Sequence, residues 1–268
     1  MAGRKVTFVV FALALAVAPS PAQWFRLKSP GIPRNKTGEP NLSAVTPRTA
    51  DGRPDFTGIW QIVHPATAVN EGQGRNGLRL EYPGLKVPAQ PWAKALWDKR
   101  FDVDKGSGRP AERCLPHAIT DALFHGMFKI IQTRQEIAML FEEFDFYRQI
   151  HLDGRSQPVD PNPAWFGYST GRWEKDELVI TTQGIKVPAW LEYGFIDDSG
   201  IPYSDSLRVT ERFRRSDFGH LHQDVTIEDP KVFTAPWTYS VNFEIQPDTE
   251  MLENVCENEK DLRHYTSR

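Results

Sequence analysis

The chain is short of cysteine, of long apolar runs and of charge of one sign. It has two cysteines in 268 residues, which excludes a disulfide-dense mini-protein. Beyond the first twenty-odd residues no stretch is apolar for long enough to span a bilayer. Lys and Arg number 32 against 35 Asp and Glu, so the basic footprint of a nucleic-acid binder is missing. Also missing are a Gly-rich phosphate loop, an HExxH helix and an EF-hand loop. Ser169 in Gly-Tyr-Ser-Thr-Gly matches GxSxG, but a second strand follows it where the nucleophile elbow needs a helix.

What is present points to a globular β protein. Hydrophobic residues make up 40% of the chain and aromatics 12%, enough for a core and too many for disorder. The 21 prolines and 19 glycines punctuate short alternating runs, the mark of strands joined by turns.

Residues 1–22 read as a signal peptide. Arg4 and Lys5 precede an apolar run from Val6 to Ala18, and Ser20-Pro21-Ala22 suits cleavage after Ala22. The expected location is periplasmic or extracellular, with no stable membrane insertion after cleavage. An exported chain with two cysteines favours a Cys114–Cys256 disulfide over a reactive thiol or a thiolate metal ligand. Residues 23–50 read as an extended arm, and 51–268 as a single β-barrel domain.

Strand periodicity begins at Phe56, Gly58, Trp60 and Ile62. Pro91-Trp92 opens one short helix. From Lys129 onward the chain reads as successive hairpins: KIIQT with EIAMLFE, then FYRQIHLD, YSTGRW with LVITTQG, LRVTERFRR with LHQDVTIE, and WTYSVNFEIQ. About nine strands with no βαβ alternation predict a mainly β fold, an antiparallel meander closing into a barrel. Gly58-Ile59-Trp60 on the first strand, followed by that meander, resembles the lipocalin or calycin pattern. The blocks DGRPDFTGIW, RCLP, RQIHLDGR, GRWEKDELVITTQG, SDSLRVTERFRR and GHLHQDVTIEDP resemble an uncharacterised family of secreted bacterial proteins. That resemblance covers residues 51–261 and implies no activity. Tyr168 and Tyr203 stand where that family carries histidines, so any chemistry of those histidines is in doubt here.

Four residues are candidate acid–base groups. Glu211 shares an apolar strand face with Leu207, Val209 and Phe213, where a carboxylate is costly unless paired. The structural alternative is an ion pair with Arg212 or Arg172. Glu143 continues the face of Ile137, Met139 and Phe141. His151 and Asp153 lie two apart on one strand face, where the carboxylate could orient the imidazole. Tyr168, Tyr203, Arg172, Trp165, Trp173 and Trp190 are candidate substrate contacts. No cofactor and no metal are expected; His151, His220 and His222 form a weak alternative metal set. His117 and His125 sit in an irregular stretch and add little.

The expected function is that of a small-molecule enzyme of the lyase, isomerase or hydratase type. It would act on a hydrophobic or aromatic substrate in the barrel by acid–base chemistry. The alternative is a non-catalytic carrier of a hydrophobic ligand. The oligomeric state is not legible.

Overall fold

The computed structural model describes residues 28–66, 68 and 77–256. The proposed signal peptide lies outside the described residues. The described residues form eleven strands: β1 (Gly58–Val63), β2 (Met127–Gln132), β3 (Glu136–Phe141), β4 (Tyr147–His151), β5 (Tyr168–Glu174), β6 (Glu177–Gln183), β7 (Gly194–Phe195), β8 (Pro202–Tyr203), β9 (Arg208–Arg215), β10 (His220–Glu228) and β11 (Trp237–Ile245). Nine of them close a barrel in the order β1-β11-β10-β9-β6-β5-β4-β3-β2, while β7 and β8 form a separate ribbon.

The period-2 reading holds where it was clearest. Trp60 and Ile62 of β1, Val209 and Phe213 of β9, and Trp237, Tyr239, Val241, Phe243 and Ile245 of β11 all point inward and are buried. Trp60, Phe128, Phe213 and Phe243 are fully buried, so bulky side chains fill the lumen rather than leaving it open for a ligand.

One junction departs from an antiparallel meander. β4 and β5 run parallel, pairing Ile150 with Ser169 and His151 with Thr170. The proline-bearing connection 152–167 between them carries the chain back along the barrel, the length a parallel crossover needs. The strand β6 then pairs with β9, and the β7–β8 ribbon is looped out between them.

Two short helices, α1 (Leu78–Glu81) and α2 (Pro91–Asp98), precede β2. Pro91 starts α2, where its missing N–H costs nothing, and α2 runs on as a wider turn through Lys99–Val103. The arm packs on the barrel: Arg34 pairs with Asp248, Arg48 with Asp176, and Leu42 receives the Gly219 N–H.

The register sorts the connections by barrel end. The β2–β3, β5–β6 and β9–β10 hairpins share one end with the start of β1. The segment before β2, the β3–β4 turn and the long excursion between β6 and β9 meet at the other. Cys114 and Cys256 form a disulfide that ties the segment before β2 to the chain's last described residue. No described helix is long and apolar enough to cross a membrane.

Candidate active site

The second barrel end carries a buried cluster of charge. His117 and Asp121 come from the turn before β2, with His125 four residues further on. Glu143 projects from the β3–β4 turn, and Asp198 from the excursion between β6 and β9. Side-chain exposure is 7% for His117, 3% for Asp121, 10% for His125 and 8% for Asp198.

Asp121 is the hub. Its Oδ2 lies 3.0 Å from His117 Nδ1 and 3.0 Å from His125 Nε2. The two imidazoles stack with centroids 3.6 Å apart and 19° between planes. Asp198 Oδ1 lies 3.5 Å from His117 Nδ1, and its Oδ2 accepts from Arg109 Nη1 at 2.9 Å. On the opposite edge of the His117 ring, Nε2 approaches Glu143 Oε2 at 3.1 Å. That approach lacks hydrogen-bond direction, so Nε2 is a buried nitrogen without a well-formed partner.

Burial is the largest influence on the His117 ring and opposes its charge. The carboxylates of Asp121, Asp198 and Glu143 outweigh it and hold the pKa well above the imidazole range. Burial likewise penalises Asp121 most, yet the two histidines keep its carboxyl below the ordinary carboxylate value. Asp197 next door behaves oppositely: burial and then the Asp121 charge push it up to about 7. Its oxygens face inward to Ser199 Oγ and to the Leu78 and Ile201 N–H groups, not into the cluster.

The cluster borders a small apolar gap. His117, Glu143, Phe141, Phe144, Phe146 and Phe166 enclose about 10 Å³, room for a single water-sized group. Phe144 and Asp145 at this turn adopt φ of 61° and 55°, a left-handed conformation that an aromatic residue rarely takes. The Phe144 ring lies over His117 at 6.1 Å, nearly parallel. Strain held beside a buried charged ring is the arrangement expected where geometry serves a site.

Phe146 and Phe166 are shared walls. On their far side opens a groove of about 420 Å³ over the β4–β5 junction, lined also by Pro116, Trp165, Tyr168 and His151. The gap and the groove are separate spaces that share these two walls, one bordering the charge and the other largely apolar.

The structure brings some sequence candidates together and separates others. Glu143 lies in the cluster, and Trp165, Tyr168 and His151 line the groove. Asp153 does not orient His151; it binds Arg155 with Oδ2 2.6 Å from Nη2. Glu211 is buried inside the barrel wall and paired, but with Arg148 of β4 rather than Arg212 or Arg172. Those two arginines lie on the exterior, with Glu174 as partner of both. Tyr203 is buried and donates to the Lys186 carbonyl at 2.7 Å. Trp173 packs tilted against Phe56, exposed Trp190 lies under Arg113, and neither lines the groove.

His151, His220 and His222 do not converge. Strands β5, β6 and β9 separate β4 from β10 in the barrel order. His220 pairs with Asp217, and His222 with Asn242 and Asp224. The donors that do converge are His117, Asp121, His125 and Asp198, all within 4.8 Å of one another, and these could hold a metal ion. Sequence reasoning passed them over because all four lie in irregular chain. The signal present was a histidine, an aspartate and a histidine spaced by four.

No known family model, curated protein or solved structure matches the chain.

Proposed function

We propose that the protein is an exported enzyme of the lyase, isomerase or hydratase type that acts on a hydrophobic or aromatic small molecule by acid–base chemistry. The barrel is compatible with a lipocalin-like architecture, with the reacting group at its capped end instead of inside the lumen. The observation that carries this reading is the gap shared by His117 Nε2 and Glu143, 3.1 Å apart, behind the two phenylalanines that also wall the groove.

Glu143 is the group that takes and returns a proton. A half-buried carboxylate against an apolar wall can reach a substrate carbon or oxygen with little competing water. His117 Nε2–H faces the same point and donates a hydrogen bond to charge developing there. Asp121 on the far edge of the ring fixes its orientation, as a carboxylate does for a catalytic imidazole. An isomerisation needs nothing more: the proton leaves one carbon for Glu143 and returns to another. Trp165, Tyr168, Phe146 and Phe166 seat the apolar body of the substrate.

The test is a panel of aromatic and terpenoid ketones, enones and alcohols, offered to wild type and to Glu143→Gln, with binding and turnover followed separately. Turnover that falls by about 100-fold or more in Glu143→Gln, with binding retained, supports the reading. Binding without turnover in either protein overturns it in favour of a carrier.

A further inference from the structure

We propose that His117 Nδ1, His125 Nε2, Asp121 and Asp198 form a binding site for one divalent first-row transition-metal ion, zinc being the best match. Two imidazole nitrogens and two carboxylates are a donor set suited to such ions and poorly suited to calcium or magnesium, which favour oxygen alone.

The spacing fits. A tetrahedral zinc ion with bonds of about 2.0–2.1 Å separates its donors by about 3.4 Å. Taking one atom from each residue, the four donors lie within 4.8 Å of one another; Asp121 Oδ2 stands 3.0 Å from both His117 Nδ1 and His125 Nε2, and Asp198 Oδ1 3.5 Å from His117 Nδ1. An ion among them draws the widest-spaced donors, up to 4.8 Å apart, together by about 1 Å, within reach of side-chain rotation.

The surroundings fit as well. Metal-bound imidazoles characteristically give their other N–H to a carboxylate. His117 presents Nε2 to Glu143 while Nδ1 turns to Asp121 and Asp198. Arg109 takes one oxygen of Asp198 and orients that carboxylate.

Charge also balances. Asp121, Asp198 and Glu143 bring three negative charges, and Arg109 one positive charge. Two protonated imidazoles cancel the remainder, and a divalent ion that displaces those two protons leaves the buried cluster equally neutral. Zinc on Nδ1 leaves the imidazole proton on Nε2, facing Glu143. The site therefore goes beyond the proposed acid–base chemistry without displacing it.

The full chain, stripped with chelator, is loaded with zinc, passed over a desalting column and assayed for retained metal. Cobalt serves as a second probe through its visible bands. The expected result is one equivalent of zinc per chain, a raised melting temperature, and affinity at least 100-fold weaker in His125→Ala. Glu143→Gln, one shell out, should weaken zinc by about 10–100-fold. His220→Ala and His222→Ala, on the exterior of β10, should bind as wild type does. Wild type that retains no zinc, or His125→Ala that retains as much as wild type, overturns the site. If His125→Ala does not fold, wild type decides alone: zinc must shift the ring resonances of His117 and His125 and leave those of His220 and His222 in place. Zinc retained with no turnover keeps this site and removes the acid–base reading. Turnover persisting in stripped protein that takes up no zinc on reloading does the reverse.

Discussion

Arg148 and Glu211 face each other inside the barrel wall, with Nη2 2.5 Å from Oε2 and Nη1 3.0 Å from Oε1. Both side chains are almost fully enclosed, and neither reaches solvent for compensation. Gln223 donates to Glu211 at 2.8 Å, while Ser169 and Thr182 accept from Arg148. The pair is therefore fully bonded, and removing one partner strands the other charge. Arg148→Met should cost about 3–5 kcal/mol in urea unfolding. The double replacement Arg148→Met with Glu211→Leu should recover much of that loss, because hydrophobic pairs of similar volume often replace buried ions without penalty. A double variant no more stable than Arg148→Met would sink this account. Glu211→Gln should lower stability, because it removes the charge opposite Arg148.

The Cys114–Cys256 disulfide spans 142 positions, and in the chain-entropy model such a loop stabilises by roughly 5 kcal/mol. Its second effect is local. The tail just before Cys256 lies against the turn that carries Glu143: the Phe144 N–H donates to the Asn254 carbonyl at 3.0 Å, and the Leu252 N–H to Glu142 at 3.0 Å. Cys114→Ser with Cys256→Ser should lower the unfolding free energy by about 2–5 kcal/mol. It should also speed hydrogen exchange at the Phe144 amide far more than at amides of β9 or β10. Uniform acceleration across the barrel would mean that the disulfide acts on global stability alone.

How much of this was legible depended on the type of chain. In β9 and β11 side chains alternate strictly, so Glu211 and the Trp237–Ile245 face could be read by counting residues. The same parity put Glu143 on the face of Phe141, and it does turn into the capped end. Parity also places Arg148 beside Ile150 on the inner face of β4, so the partner of Glu211 was within reach of the same count. The histidine cluster was not. His117 and Asp121 lie in turns, where no period links position to direction, and Asp198 joins them from across the molecule. The β4–β5 junction was hidden for a related reason. Its ladder holds only two residue pairs, and nothing local distinguishes a crossover from a hairpin with a long loop.

The groove makes its own prediction about fluorescence. Of eight tryptophans, Trp165 lines the space beside Tyr168, whereas Trp173 and Trp190 sit away from it. An aromatic ligand should change the emission of wild type and of Trp190→Phe alike, and the change should shrink sharply in Trp165→Phe. Phe166→Ala opens the wall between groove and gap and removes apolar contact worth about 1.5–3 kcal/mol, so affinity should fall about 10–100-fold. Unaltered affinity in Phe166→Ala would place the ligand elsewhere.

Gly77 tests how firmly the cap holds Asp198. Its φ is 109°, and a Cβ there would come within 2.5 Å of the Ser199 nitrogen and 2.7 Å of Asp197 Oδ2. The first of these is backbone and cannot swing aside. The next residue, Leu78, donates its N–H to Asp197 Oδ2 at 2.5 Å, so the glycine lies flat against the turn that presents Asp198. Gly77→Ala should therefore push residues 197–199 away from the start of α1 and cost about 1–3 kcal/mol. Gly84, with no atom near its would-be Cβ and an ordinary φ, supplies the contrast. Gly84→Ala should stay within about 0.5 kcal/mol of wild type. Melting temperature reads the loss of stability and zinc retention the displacement of Asp198. A cap that positions Asp198 through this contact must lose metal affinity in Gly77→Ala, whereas a cap that merely covers the barrel would lose stability and keep its affinity.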